Sequence, residues 1–210
     1  MKFTTDSYIE IGSAHNICED YALNGIINGE MPYIIVCDGC SSSKMTDFGA
    51  RILAHACKMA IHERYGSIKE LLQILNHDKD DIVNLLRTEI YLKTINVVRT
   101  AVANFGLPYT VCDATLLYAF IYDKKLYVTA YGDGNIIINR KKEDGTKLNT
   151  WINLKYESNA PFYLSYKMDM TRETGYLKDE RFGKKTLKIN TGHYQKEIVP
   201  EIDSREIASS

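Results

Sequence analysis

"IIVCDGCSSS", residues 34–43, is an apolar run that ends at an aspartate and a glycine and continues in small hydroxylated residues. A short apolar run bounded by a turn signal has the length of a buried strand rather than a helix. A carboxylate at the end of such a strand is costly unless a cation or several donors meet it. Gly39 permits close approach of the backbone, and Cys40, Ser41, Ser42 and Ser43 leave room beside it. An Asp-Gly turn has the same appearance, so neighbouring segments must separate turn from site.

Outward from this strand, "TDFGARILAHACKMAIHERYG" reads as a helix with Phe48, Ile52, Leu53, Ala56 and Ala60 on one face, Thr46 as N-cap and Gly66 as stop. "SIKELLQIL" begins with a capping box, Ser67 to Glu70, and so reads as a new helix. A long helix is expected from about Asp80 to Phe105, carried by Ile82, Leu85, Leu86, Ile90, Ile95, Val98 and Val102 and closed by Gly106 and Pro108. The period then changes. "ATLLYAFIY", the turn "DKK" and "LYVTAYGDG" form a hairpin, "NIIINR" and "TWINL" flank the turn "EDGT", and "TLKIN" and "REIAS" follow as later strands. Residues 141–185 are the least regular part and read as a surface excursion. Hairpins around a helical block point to an α+β fold with mainly antiparallel sheets.

The 210 residues, 45% of them hydrophobic, suit one domain spanning 1–210, and the net charge of −1 offers no global field for nucleic acid or an anionic membrane. Without an apolar span or secretory leader, a cytoplasmic location is expected. The five cysteines, Cys18, Cys37, Cys40, Cys57 and Cys112, are odd in number and sit in apolar segments, as reduced buried thiols do. Cys37 and Cys40 have C-x-x-C spacing but lack the second pair that a zinc site needs, and only a special geometry would recruit His55, Cys57 and His62 to them.

Two further places carry acids beside apolar runs. "SAHNICEDYA" places Glu19 and Asp20 next to each other, and "VTAYGDGN" sets Asp133 between two glycines after another strand. Each alone fits a solvated edge or a turn. Together with Asp38 they supply carboxylates without a matching nest of bases, which is the donor set that hard divalent cations take.

In this order, "HNICEDYA", "IIVCDGCSSS" leading into "TDFGARIL", and "CDATLLYAFIYDKKLYVTAYGDGN" resemble the protein phosphatase 2C family of metal-dependent serine/threonine phosphatases, over about residues 8–140 and again over 186–210. The resemblance implies a four-layer αββα sandwich, two mainly antiparallel sheets flanked by helices, with two Mn²⁺ or Mg²⁺ ions held between the sheets. Asp38 would bridge both ions, Glu19 would bind the second, and the Gly39 carbonyl would add a ligand. Asp20 matches an acid of the metal shell, and Asp133 the acid that helps bind a third ion in bacterial relatives. Thr115 matches the motif threonine near the substrate. An in-line attack on phosphorus by water between the ions is implied, with no covalent phosphoenzyme.

The sequence departs from the family at three places. His15 stands where the family has a phosphate-gripping arginine, and it offers a hydrogen bond but no bidentate fork. The family's "DGHGG" is "DGCSSS" here, so Cys40, a poor acid at neutral pH, replaces a histidine, and Cys40 and Ser41 border the phosphate. "DSREIASS" resembles the approach to the family's terminal Ser-Asp-Gly, so a C-terminally truncated domain is expected. The implied partners are a phosphoprotein substrate and a cognate kinase, with neither nucleic acid nor membrane. The competing reading is a catalytically weak or inactive phosphatase-like module that binds a phosphoprotein as a regulator or scaffold. Twelve Lys/Arg against seven Asp/Glu between Lys141 and Lys196 give the irregular segment a basic excess suited to phosphopeptides.

Overall fold

A computed structural model describes residues 2–13, 16–74, 79–142, 144–179, 185–190 and 195–198. Two four-stranded antiparallel meanders make up its sheets. The first is ordered β1 (Tyr21–Ile27), β2 (Met31–Cys37), β3 (Leu116–Tyr122) and β4 (Lys125–Tyr131), and the second β5 (Gly134–Lys141), β6 (Lys147–Tyr156), β7 (Lys185–Asn190) and β8 (Gln195–Ile198). This is the α+β sandwich of antiparallel sheets expected above. Helices α1 (Thr46–Ile74) and α2 (Lys79–Asn104) pack together, and α1 lies against β1, β2 and β3. Among the described residues these two helices supply the helical layer on the first sheet, and no helix is long and apolar enough to cross a membrane.

Period-two burial explains β2: Tyr33, Ile35 and Cys37 turn toward the helices and are buried. Its other face is less covered than a continuous apolar run implies, since Ile34 and Val36 are each 46% exposed. The contact between the sheets lies further along, where Ala130 and Leu117 of the first meet Ile136, Ile138, Ile152 and Leu154 of the second. The β3–β4 turn carries Asp123 and Lys124 at φ 47° and 65°, the left-handed pair that lets a two-residue hairpin match strand twist.

α1 runs through the expected break at Gly66. Ser67 does not cap a new helix. Its hydroxyl donates to the Glu63 carbonyl one turn back (3.3 Å), and Gly66 is absent from the left-handed region a stop would need. Of the expected face of α1, Leu53, Ala56 and Ala60 are buried while Phe48 and Ile52 lie at its margin, and the buried stripe extends over Ala50, Ala54, Cys57 and Ile61. On α2 the expected face holds except at Leu85, which is 47% exposed. The stretch after β6 is more regular than expected, with short 3-10 turns at Glu157–Asn159 and Leu164–Met168 and helix α3 over Met170–Lys178. Asp169 caps α3 by accepting from the Thr171 and Arg172 amides. β1 is hard to read in sequence because Asn24 and Gly25 look like a turn. The glycine lies under the Tyr33 ring, where a Cβ would come within 2.7 Å of the hydroxyl.

Candidate metal centre and substrate rim

Register alone brings the acids to one end of the first sheet. Tyr21 pairs with Cys37 and Leu116 with Tyr131, so the residues just before β1, just after β2, just before β3 and just after β4 share that end. These are Glu19 and Asp20, Asp38, Thr115, and Asp133. Main-chain hydrogen bonds then lock the Asp38 loop. Thr115 N–H donates to the Asp38 carbonyl (2.8 Å) and Asp38 N–H donates to the Thr115 hydroxyl (2.9 Å). Thr115 is buried and grips the Asp38 backbone, which is a different task from the substrate contact expected of it. Gly39 donates to the Glu19 carbonyl (3.2 Å) and bridges Ala114. A Cβ on Gly39 would come within 2.9 Å of that Glu19 carbonyl oxygen, so what demands glycine here is the neighbouring chain. At Gly132, φ is 98° and a Cβ would lie 2.9 Å from Thr115 Cγ2, which explains the glycine before Asp133.

Thr46 is the first residue of α1, but its hydroxyl is not spent on a cap. It lies 3.0 Å from Glu19 Oε1 and 3.2 Å from the Cys40 carbonyl oxygen, tying the two acid-bearing loops together. A pocket of about 250 Å³ opens between Cys18, Glu19, Asp20, Asp38, Gly39 and Ser41.

The Asp38 carboxyl is pushed up to about 6. Desolvation is the first cause, followed by the charge of Asp20, a hydrogen bond with Asp20, and the charges of Asp133 and Glu19. A hydrogen bond between two carboxyls needs a proton, so without a cation the contact with Asp20 is made while Asp38 is protonated, below about pH 6. Among the described residues no three His, Cys, Asp or Glu side chains close tightly enough to hold an ion as they stand. The two observations fit together: four acids that repel one another gather at one sheet end yet stay loosely spaced. The donor set, oxygen-rich and with negative charge dominating around Asp38, suits a hard divalent cation.

The family model described as protein phosphatase 2C matches residues 13–183. The chain belongs to the protein phosphatase 2C family. A search of curated proteins found no match. Membership in this phosphatase family carries a phosphatase-type function, and the expected acids of the phosphatase 2C site, Glu19, Asp20, Asp38 and Asp133, are the ones that gather. His15 lies outside the described residues, as does the "REIAS" strand.

On the other side of the loop, Cys40 is half-buried and its Sγ is 3.0 Å from Ser42 Oγ. Burial pushes the thiol up, but hydrogen bonds with Ser42 and Tyr163 outweigh it and leave the thiol below its ordinary value. Tyr163 is raised by burial first, then by its hydrogen bond with Cys40 and the charges of Asp133 and Asp38. Its hydroxyl is therefore at the rim of the acid cluster, although no motif in the sequence points to it. Asp113 and Arg172 were also not legible: Arg172 Nη2 donates to both Asp113 carboxylate oxygens at 2.9 Å. The only sequence signal was a lone acid in "CDAT" and a capped helix in the irregular segment. The histidines nearest the C-x-x-C in sequence are engaged elsewhere, His55 with the Tyr21 hydroxyl (3.2 Å) and His62 with that of Tyr33 (3.1 Å), and Cys37 and Cys57 are buried thiols.

Proposed function

We propose that the chain is a Mn²⁺- or Mg²⁺-dependent protein serine/threonine phosphatase acting on phosphoproteins. The observation that carries this reading is the gathering of Glu19, Asp20, Asp38 and Asp133 at one sheet end around an Asp38 whose charge is disfavoured without a cation. Asp38 and Glu19, with the Gly39 carbonyl, would hold the cations, and Asp20 and Asp133 would complete the shell. When bound there, the ions supply water activation and neutralise phosphoryl charge. The chain's own part is to hold these oxygens at fixed places. Thr115 fixes the Asp38 backbone, Thr46 sits against Glu19, and Gly132 lets Asp133 come close. Cys40, Ser41 and the Tyr163 hydroxyl border the room left for a phosphorylated side chain, and the basic excess of residues 141–196 would draw such peptides in.

The second reading, a module that binds a phosphoprotein without turnover, is favoured by the loose spacing of the acids. One experiment separates the two. With millimolar Mn²⁺ the chain should hydrolyse p-nitrophenyl phosphate and a phosphothreonine peptide, lose activity in excess chelator, and lose Mn²⁺ binding by calorimetry in Asp38→Asn. Phosphopeptide binding with no turnover at any Mn²⁺ concentration would establish the module instead.

A further inference from the structure

Asp113 is 5% exposed, and its carboxylate is met from three directions. Ser43 of the loop after β2 donates to Oδ2 (3.1 Å), Ser165 donates to Oδ1 (2.6 Å), and Arg172 of α3 donates to both oxygens (2.9 Å each). Its main-chain carbonyl accepts from Cys40 N–H (2.8 Å). One residue therefore ties the Asp38–Ser43 loop to the segment between β6 and β7. A carboxylate this buried is tolerated only with such full pairing, which makes its partners hard to exchange.

The segment it captures carries Tyr163. Ser165 holds it two residues beyond the tyrosine, and Arg172 holds it from α3, with the guanidinium 4.5 Å from the centre of the Tyr166 ring. Contacts on the far side are of another kind. Arg99 of α2 donates to the Lys167 and Met168 carbonyls, and Tyr176 donates to the Ala160 carbonyl, so they dock the segment on α2 and on itself. We propose that the Asp113–Arg172 ion pair is a positioning strut that sets the segment 162–178 against the Asp38 loop and so fixes Tyr163 at the rim of the acid cluster. Its effect on rate rests on the phosphatase reading, while its mechanical effect does not.

The test uses the full chain as Asp113→Asn, Arg172→Lys and Tyr163→Phe, the last keeping the ring and leaving the buried pair intact. Hydrogen exchange is followed in peptides covering 38–46 and 162–178, and Mn²⁺-dependent turnover is measured across a Mn²⁺ titration. The strut predicts that Asp113→Asn and Arg172→Lys exchange about tenfold faster in both peptides. It predicts that kcat falls about tenfold while the Mn²⁺ half-saturation point stays within about twofold. Tyr163→Phe should lower kcat by itself and add little when combined with Asp113→Asn, because both act along one path. A lower melting temperature with unchanged kcat and exchange at 20 °C would overturn the proposal, as would a loss confined to Mn²⁺ affinity. If the wild-type chain shows no turnover, the phosphatase reading fails, and exchange alone decides: faster exchange in both peptides upholds the strut and unchanged exchange removes it. Should Asp113→Asn not fold, Arg172→Lys decides through the same two measurements, and Tyr163→Phe through turnover alone and combined with Arg172→Lys.

Discussion

At neutral pH Asp38 must hold a negative charge beside those of Asp20, Asp133 and Glu19, although its carboxyl titrates at about 6. The sign of the linkage follows. An acid whose pKa rises on folding contributes stability below its unfolded value near 4, and that contribution is lost as pH rises through about 6. Metal-free Asp38→Asn carries no such loss. Its stability relative to wild type should therefore improve between pH 4 and pH 7, by on the order of 1 kcal/mol once the carboxylate's part exposure is allowed for. Urea melts of both proteins in chelator at three pH values would read this directly. A constant difference would mean that Asp38 does not feel the cluster. The residues that define the candidate site differ in how far their partners lie along the chain. Glu19, Asp20, Asp38 and Asp133 each stand at the end of an apolar run and could be picked out locally. Asp113 and Arg172 are 59 residues apart, and nothing near either announces the other.

At the scale of elements, α1 shows packing overriding a local signal. Gly66 followed by Ser67 and Glu70 is a legitimate stop-and-start pattern. Yet Tyr65 is buried just before it and the helix continues against α2. A helix-interior glycine with open space where its Cβ would stand should be improvable. Gly66→Ala is expected to stabilise the protein by about 0.5–1 kcal/mol, seen as a higher urea midpoint at unchanged slope. Destabilisation would show that the chain breaks there after all. The hairpin β3–β4, by contrast, was legible, since two apolar runs of strand length flank a turn that needs only two residues tolerant of positive φ.

For the whole molecule, cation binding and folding are coupled, because the native state brings the acids together and the unfolded chain does not. A divalent ion present at a hundredfold over its dissociation constant adds about 2.7 kcal/mol per site, which in a chain of this size is a rise of several degrees in melting temperature. Millimolar Mn²⁺ at pH 7.5 should produce such a rise, smaller at pH 5 where protons compete for Asp38, and absent in Asp38→Asn. Scanning calorimetry with Mn²⁺, Mg²⁺ and chelator would check it, and a flat response to both ions would sink the metal centre.

By itself the sequence determined the apolar runs that make most of the strands, the apolar face of α2, and the strand-end acids whose order marks the phosphatase 2C family. These are properties of local spacing, and spacing is written in the chain. Only the tertiary structure decided which face of α1 is buried, why Gly39 and Gly132 must be glycine, and that Thr115 holds Asp38 from behind. It also brought Asp113, Arg172 and Tyr163 to the site. The physical reason is that these depend on backbones and charges meeting across dozens of residues, and such meetings exist only once both sheets and the segment between β6 and β7 have packed.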